Sequence, residues 1–276
     1  MKLRASALGS ALCVGAVLAL ASAAPALAVS RPLGRLVPSS KTARLPVHGG
    51  TVTSLNWSGY AVTPASANIT AVDSTFTVPS ASLAPPGFAA TWTGIGGYST
   101  SDLIQAGVSE DTAPSNPVLG DQYYAWYELL PADETQISGC TGDANCTVTP
   151  GDRVTVDIHN VSGDTWNISI TDSGKWSWSQ DVTYASSESS AEWILEAPTL
   201  VAAQTPLANV GTVAFGPTST YTAGGTTYTI AQGDPTMIDL SPLPVGGVVD
   251  EATPSALAPD GQSFNDCSYA ETCAAP

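Results

Sequence analysis

The run Ala191-Glu192-Trp193-Ile194-Leu195-Glu196 places two carboxylates in one short apolar segment. Read as a strand, its period of two sets Glu192, Ile194 and Glu196 on one face and Ala191, Trp193 and Leu195 on the other. The second set is an ordinary core face. The first either lines a groove or meets water. Two more segments carry related chemistry. Leu103-Ile104-Gln105-Ala106-Gly107-Val108 holds one amide within an apolar run, and Tyr123–Glu128 alternates so that Tyr124, Trp126 and Glu128 share a face. An amide, carboxylates and aromatic walls make a groove for an extended polymer. Composition alone does not separate peptide from glycan.

Familiar hydrolytic sites are missing. There is no GxSxG elbow and no HExxH. A Ser-His pair would need His159, which sits in the alternating run Val154–Asn160 where a partly exposed strand histidine is ordinary. A cysteine nucleophile would strand an odd thiol. Asp172-Ser173-Gly174 matches half of an aspartic peptidase site, but that chemistry needs two such aspartates. The motif occurs once, and Asp, Ser and Gly are what a hairpin tip uses. Glu192 and Glu196 are not the two halves of one glycosidase site. Four strand residues span ~13 Å, whereas a retaining pair needs ~5–5.5 Å and an inverting pair ~6.5–9.5 Å. Either glutamate could pair with another acid. A lectin-like sandwich that binds or hydrolyses polysaccharide therefore stands as the alternative, beside a sandwich without catalysis.

These side chains must be positioned by strands. β-type runs recur at Ser74–Val78, Gln122–Leu130, Arg153–Val161, Thr165–Thr171, Lys175–Tyr184, Ala191–Glu196, Val210–Phe215 and Thr226–Ala231. Abundant Gly, Pro, Ser and Thr punctuate them, and no stretch sustains a helical period. The expected fold is all-β: an antiparallel two-sheet β-sandwich of the concanavalin-like jelly-roll type.

The chain divides by charge. Lys2 and Arg4, an apolar Ala11–Ala21 and Ala26-Leu27-Ala28 read as a signal peptide over residues 1–28. The apolar stretch falls short of the ~20 residues of a membrane span. Residues 29–50 hold Arg31, Arg35, Lys41 and Arg44 without an acid and read as a basic propeptide. Its end is placed near His48-Gly49-Gly50. Residues 51–276 form the expected single domain. All 24 acidic residues lie there, at Asp73 or later, against only Arg153 and Lys175. Salt bridges cannot hold such a domain together. Its self-repulsion falls near the carboxylate pKa values of about 4, which suits work in acid. Nucleic acid is excluded as a partner by this charge, and a membrane by the lack of a second apolar span. The mature form is expected to be secreted and monomeric.

After export four cysteines remain: Cys140, Cys146, Cys267 and Cys273. An even number in a secreted chain implies disulfides. Three pairings are possible, of which two local loops, Cys140–Cys146 and Cys267–Cys273, are the simplest. With no CxxC and one histidine in the domain, no metal is expected.

The sequence resembles the glutamic peptidases, the eqolisin family of acid endopeptidases. The resemblance runs from Asn56-Trp57-Ser58-Gly59-Tyr60 through Phe76-Thr77-Val78-Pro79, Trp92-Thr93-Gly94-Ile95-Gly96-Gly97, Leu103–Gly107 and Ala125–Glu128 with Pro131 to Ala191–Glu196. It implies a β-sandwich with the active site on a concave face. It also implies a catalytic dyad of Gln105 and Glu196, with Glu192 as the other, non-catalytic carboxylate of its segment. Synthesis with a signal peptide and propeptide, polypeptide substrates and the absence of a cofactor follow likewise. Trp57, Trp92 and Trp126 would wall the substrate cleft, and Glu128 would be a hydrogen-bonding partner near the dyad. Fungal members carry acids where this chain has Gly96 and Tyr124, a departure that bears on subsites and pH optimum.

Overall fold

The computed structural model describes residues 49–64, 68–83, 86–112, 122–200, 203–241 and 251–276. The expected signal peptide, and the propeptide up to residue 48, lie outside them. In chain order the strands are β1 (Thr51–Ser54), β2 (Trp57–Val62), β3 (Ile69–Thr77), β4 (Ala90–Gly96), β5 (Leu103–Asp111), β6 (Gln122–Leu129) and β7 (Thr135–Gln136). Then follow β8 (Arg153–Ser162), β9 (Thr165–Asp172), β10 (Trp176–Thr183), β11 (Ala191–Glu196), β12 (Thr199–Leu200) and β13 (Ala203–Gln204). The last are β14 (Thr212–Phe215), β15 (Thr220–Ala223), β16 (Thr226–Thr229), β17 (Thr236–Leu240), β18 (Ala252–Pro254) and β19 (Phe264–Ser268). A 3-10 turn at Ile230–Gly233 interrupts them, so the expected run to Ala231 ends at Thr229.

Pairing sorts the strands into two layers. The first runs β1-β17-β2-β11-β4-β5-β6-β7. The second runs β16-β15-β3-β8-β9-β10, with β14 continuing the β15 edge of β3. β14, β19 and β18 then lead back to β17, so the layers are joined along one side. This is the expected β-sandwich. One pairing departs from the antiparallel expectation: β1 runs parallel to β17. β1 is too far in sequence from β17 for a hairpin, so nothing imposes the antiparallel direction.

The core lies between the layers. Alternation supplies it from both sides: Ile104, Ala106 and Val108 of β5, and Ala191, Trp193 and Leu195 of β11, face Val154, Val156 and Ile158 of β8 and Ile168 and Ile170 of β9. Trp193 crosses the gap, its indole N–H donating to the Asp73 carbonyl of β3 at 3.1 Å. At the joined side Tyr60 meets Phe264 edge-on at 4.9 Å, and Phe264 stacks on Phe215 at 4.6 Å. The disulfides are Cys140–Cys146 and Cys267–Cys273, the two local loops. Among the described residues no helix is long and apolar enough to cross a membrane.

Candidate active site

The outer face of the first layer carries the other half of each alternating strand. Trp57, Ala61, Ala90, Trp92, Leu103, Trp126, Ile194 and Ile238 form a second apolar cluster there, separate from the inter-sheet core. Polar side chains are set into this bed by register. Gln105 of β5 lies opposite Gly94 of β4 on one side and Glu128 of β6 on the other. Gly94 in turn lies opposite Glu192 of β11, and Glu192 opposite Ala61 of β2. One rung across the sheet therefore reads Ala61, Glu192, Gly94, Gln105, Glu128. Glu196 sits four residues further along β11, level with Ala90 and Trp57.

Glu196 is fully buried and held from two sides. The Trp92 indole donates to Oε2 at 2.9 Å, and the Asn56 amide donates to Oε1 at 3.3 Å. The Asn56 orientation has a local cause. Ser54 Oγ donates to Asn56 Oδ1 at 2.9 Å and accepts from the Asn56 and Trp57 backbone N–H groups at 3.1 and 3.0 Å. That turn fixes which end of the amide carries oxygen and aims Nδ2 at Glu196. Trp92 is fixed by an edge-on contact with Trp57 at 5.0 Å. Sequence reading included Asn56 in a motif but gave it no role, since a partner 140 residues away leaves no local signal.

Gln105 is also fully buried. Its Nε2 donates to Glu128 Oε2 at 2.6 Å. Its Oε1 has no hydrogen-bond partner among the described residues. The Trp126 indole N–H, on the next rung opposite Gly107, is likewise buried without one. β5 itself is anchored at its start by Tyr184, whose hydroxyl accepts from the Leu103 N–H at 2.7 Å and donates to the Leu130 carbonyl at 2.8 Å. Two glycines make the face possible. A Cβ at Gly107 would lie 2.2 Å from the Thr91 carbonyl oxygen and 2.6 Å from Trp92 Cβ. One at Gly94 would lie 3.0 Å from Gln105 Cβ, so glycine leaves the surface between Gln105 and Glu192 bare.

Glu192 does not meet water, one of the two settings its alternation allowed; it is fully buried. Burial pushes its carboxyl well above the usual range, and nearby Asp102 adds to the shift. Ser190 Oγ lies close by and opposes it, but neither Glu192 oxygen completes a hydrogen bond among the described residues. Asp102 itself shifts the other way, because hydrogen bonds from Ser187 outweigh its partial burial.

The remaining sequence candidates lie elsewhere. His159 is a half-exposed β8 residue bonded to Asp157 at 2.6 Å on the other layer. Asp172 closes the β9–β10 hairpin near Lys175 and Asp152, also on that layer. Among the described residues no group of His, Cys, Asp and Glu is placed to hold a metal.

Solved structures share this architecture. Scytalido-glutamic peptidase, crystallised with a transition state analog inhibitor, is similar at a TM-score of 0.58 and 19% identity, over 77% of this chain and 98% of that one. SCP-B, a member of the eqolisin family of peptidases in complex with the tripeptide Ala-Ile-His, is similar at a TM-score of 0.55 and 17% identity, over the same shares. At such identities the likeness is one of fold. No curated protein matches the chain in a sequence search. The model of the peptidase A4 family matches residues 55–251, which takes in β2 to the edge of β18 and every residue of the outer-face rung. The chain belongs to the peptidase A4 family, and it is a glutamic-type peptidase, a hydrolase acting on peptide bonds.

Proposed function

We propose that this chain is an exported acid endopeptidase that works through Glu196 and Gln105. The observation that carries the reading is the state of these two groups. They share the outer face, Glu196 is aimed by Trp92 and Asn56, and Gln105 offers an unpaired amide oxygen. Glu196 takes a proton from the attacking water and returns it to the leaving nitrogen. Gln105 Oε1 holds that water, and the N–H not engaged with Glu128 donates to the developing oxyanion. An amide does not titrate, so it keeps this role in acid. A carboxylate with an ordinary pKa of about 4 is matched to acid, whereas histidine would be charged and unable to act as a base. Trp57, Trp92 and Trp126 form the apolar bed under the substrate, and Trp126 adds a free N–H.

Residues 1–28 direct export. Residues 29–50 act as a propeptide whose four cations are drawn to the acidic domain, and acid weakens that attraction by protonating the carboxylates. The mature enzyme is a monomer that takes unfolded polypeptides. Incubation of the acid-matured protein with acid-denatured casein at pH 3–4 tests the reading, with fragments expected. Gln105→Ala and Glu196→Gln should each lower kcat by on the order of a thousandfold with the fold intact. Normal cleavage by Glu196→Gln would remove it as the base.

A further inference from the structure

Glu192 has no task in the mechanism above, yet its placement is that of a working group. It projects on the site face from the same strand as Glu196. Its cross-strand neighbours on that rung are Ala61 and Gly94, the smallest side chains available. Beyond Gly94 stands Gln105, two strand spacings away or about 10 Å between backbones. A glutamate and a glutamine thus stand on either side of a glycine that places no side chain between them. On either side of that glycine are fully buried polar atoms with no hydrogen-bond partner among the described residues: both oxygens of Glu192 and Oε1 of Gln105. Leaving such groups unmatched costs their full desolvation. Two such groups left open across one glycine are explained by a ligand that completes both.

Resting on the peptidase reading, we propose that Glu192 binds the substrate backbone, donating its carboxyl proton to a peptide carbonyl that lies over Gly94 opposite the Gln105 amide. The peptide N–H on the far side of that unit then has Gln105 Oε1, or the water it holds, as acceptor. The groups around Glu192 keep it able to donate. Its surroundings contain Asp102 at the start of β5, Tyr98 before it, Glu128 behind Gln105 and Glu196 on its own strand. Ala61 of β2 and Thr236 of β17 do not titrate. Among the described residues no cation stands with them: Arg153 and Lys175 belong to the other layer. Burial and neighbouring acids both favour the neutral form, so the donor persists to a higher pH than an ordinary carboxyl would allow. Glu192 then governs the alkaline limb of activity, and Glu196, which must be ionised, governs the acid limb.

The test compares wild type, Glu192→Gln, Glu192→Met and Glu196→Gln on one internally quenched peptide between pH 2 and 8, with thermal unfolding at pH 4 as the control for folding. Glu192→Met has no donor and should lose on the order of a hundredfold in kcat/KM without losing thermal stability. Glu192→Gln restores an N–H donor and should recover most of that loss, with the alkaline limb moved up by about one pH unit or more. A Glu192→Met enzyme within about threefold of wild type, or a Glu192→Gln profile that superimposes on wild type, overturns the inference while leaving the peptidase reading intact. Wild type that cleaves nothing overturns the peptidase reading and this inference with it.

Discussion

Glu196 has two anchors that differ in what they supply. The Asn56 amide, oriented by Ser54, is a neutral donor at 3.3 Å, while the Trp92 indole at 2.9 Å is the shorter contact and comes from a side chain locked by Trp57. Trp92→Phe keeps an aromatic ring, smaller than the indole, and deletes the donor. It should lower kcat by about tenfold or more with little change in KM, because a hydrogen bond to a charged group is worth about 1.5–3 kcal/mol. Steady-state kinetics on a defined peptide would check this, and an unchanged kcat would mean the indole only packs. At this scale the sequence told which face each side chain takes but not its depth. Alternation placed Glu192 and Glu196 together; only the folded neighbours Ala61, Gly94 and Trp92 decide that both are buried. The Asn56–Glu196 and Gln105–Glu128 contacts join segments distant in sequence, and no local pattern announces them.

Strands read well from the sequence where one face is wet. β8, β9 and β10 alternate in burial, and their expected bounds differ from the observed ones by a residue or so. β2, β4 and β5 are buried at every position, since the core lies under one face and the Trp-rich cluster over the other. Such strands lose their alternation in burial, and polar residues such as Thr93, Gln105 and Ser109 sit inside them as fully as the apolar ones. They are also the strands that carry most of the site. Their close packing explains why small residues recur there. Gly107→Ala should destabilise the domain by about 1–3 kcal/mol and more if the backbone cannot yield, because the added methyl meets the Thr91 carbonyl and Trp92 Cβ. Chemical denaturation at pH 4 would measure it. A drop in kcat beyond what the unfolded fraction explains would report displacement of Trp92.

Across the whole molecule, stability should be greatest in acid. Asp266 is fully buried, bonded to Ser58 at 2.7 Å, and burial raises its pKa to about 8. Burial raises Asp73 and Asp172 to about 6, and moves Glu192 and Glu251 upward as well. Each of these holds its proton in the folded state at a pH where the unfolded chain, with carboxyls near 4, has released it. Their contribution is complete below about pH 4 and is lost as pH rises toward 8. Asp102, Asp143, Asp152 and Asp260 are shifted down and act oppositely, losing their contribution as pH falls below about 4. Tm should therefore peak near pH 4 and fall steadily to pH 8, and Asp266→Asn should flatten the upper part of that fall. Calorimetry across this range would check both, and a Tm that rises toward neutrality would refute the sign. The charge imbalance behind this was legible from composition; which carboxyls are buried was not.

The scarcity of cations has another consequence. Arg153 opens β8, and Lys175 lies in the β9–β10 turn, where the Ser173 N–H bonds the Arg153 carbonyl and Lys175 grips Asp152. Every bond in residues 51–276 that a trypsin-like enzyme recognises thus falls in one hydrogen-bonded corner, away from the Trp-rich face. A trypsin-like protease therefore finds almost nothing to cut in residues 51–276. The same corner holds the domain's one lysine, so amine-directed coupling to Lys175 would tether or label the enzyme with its working face turned outward.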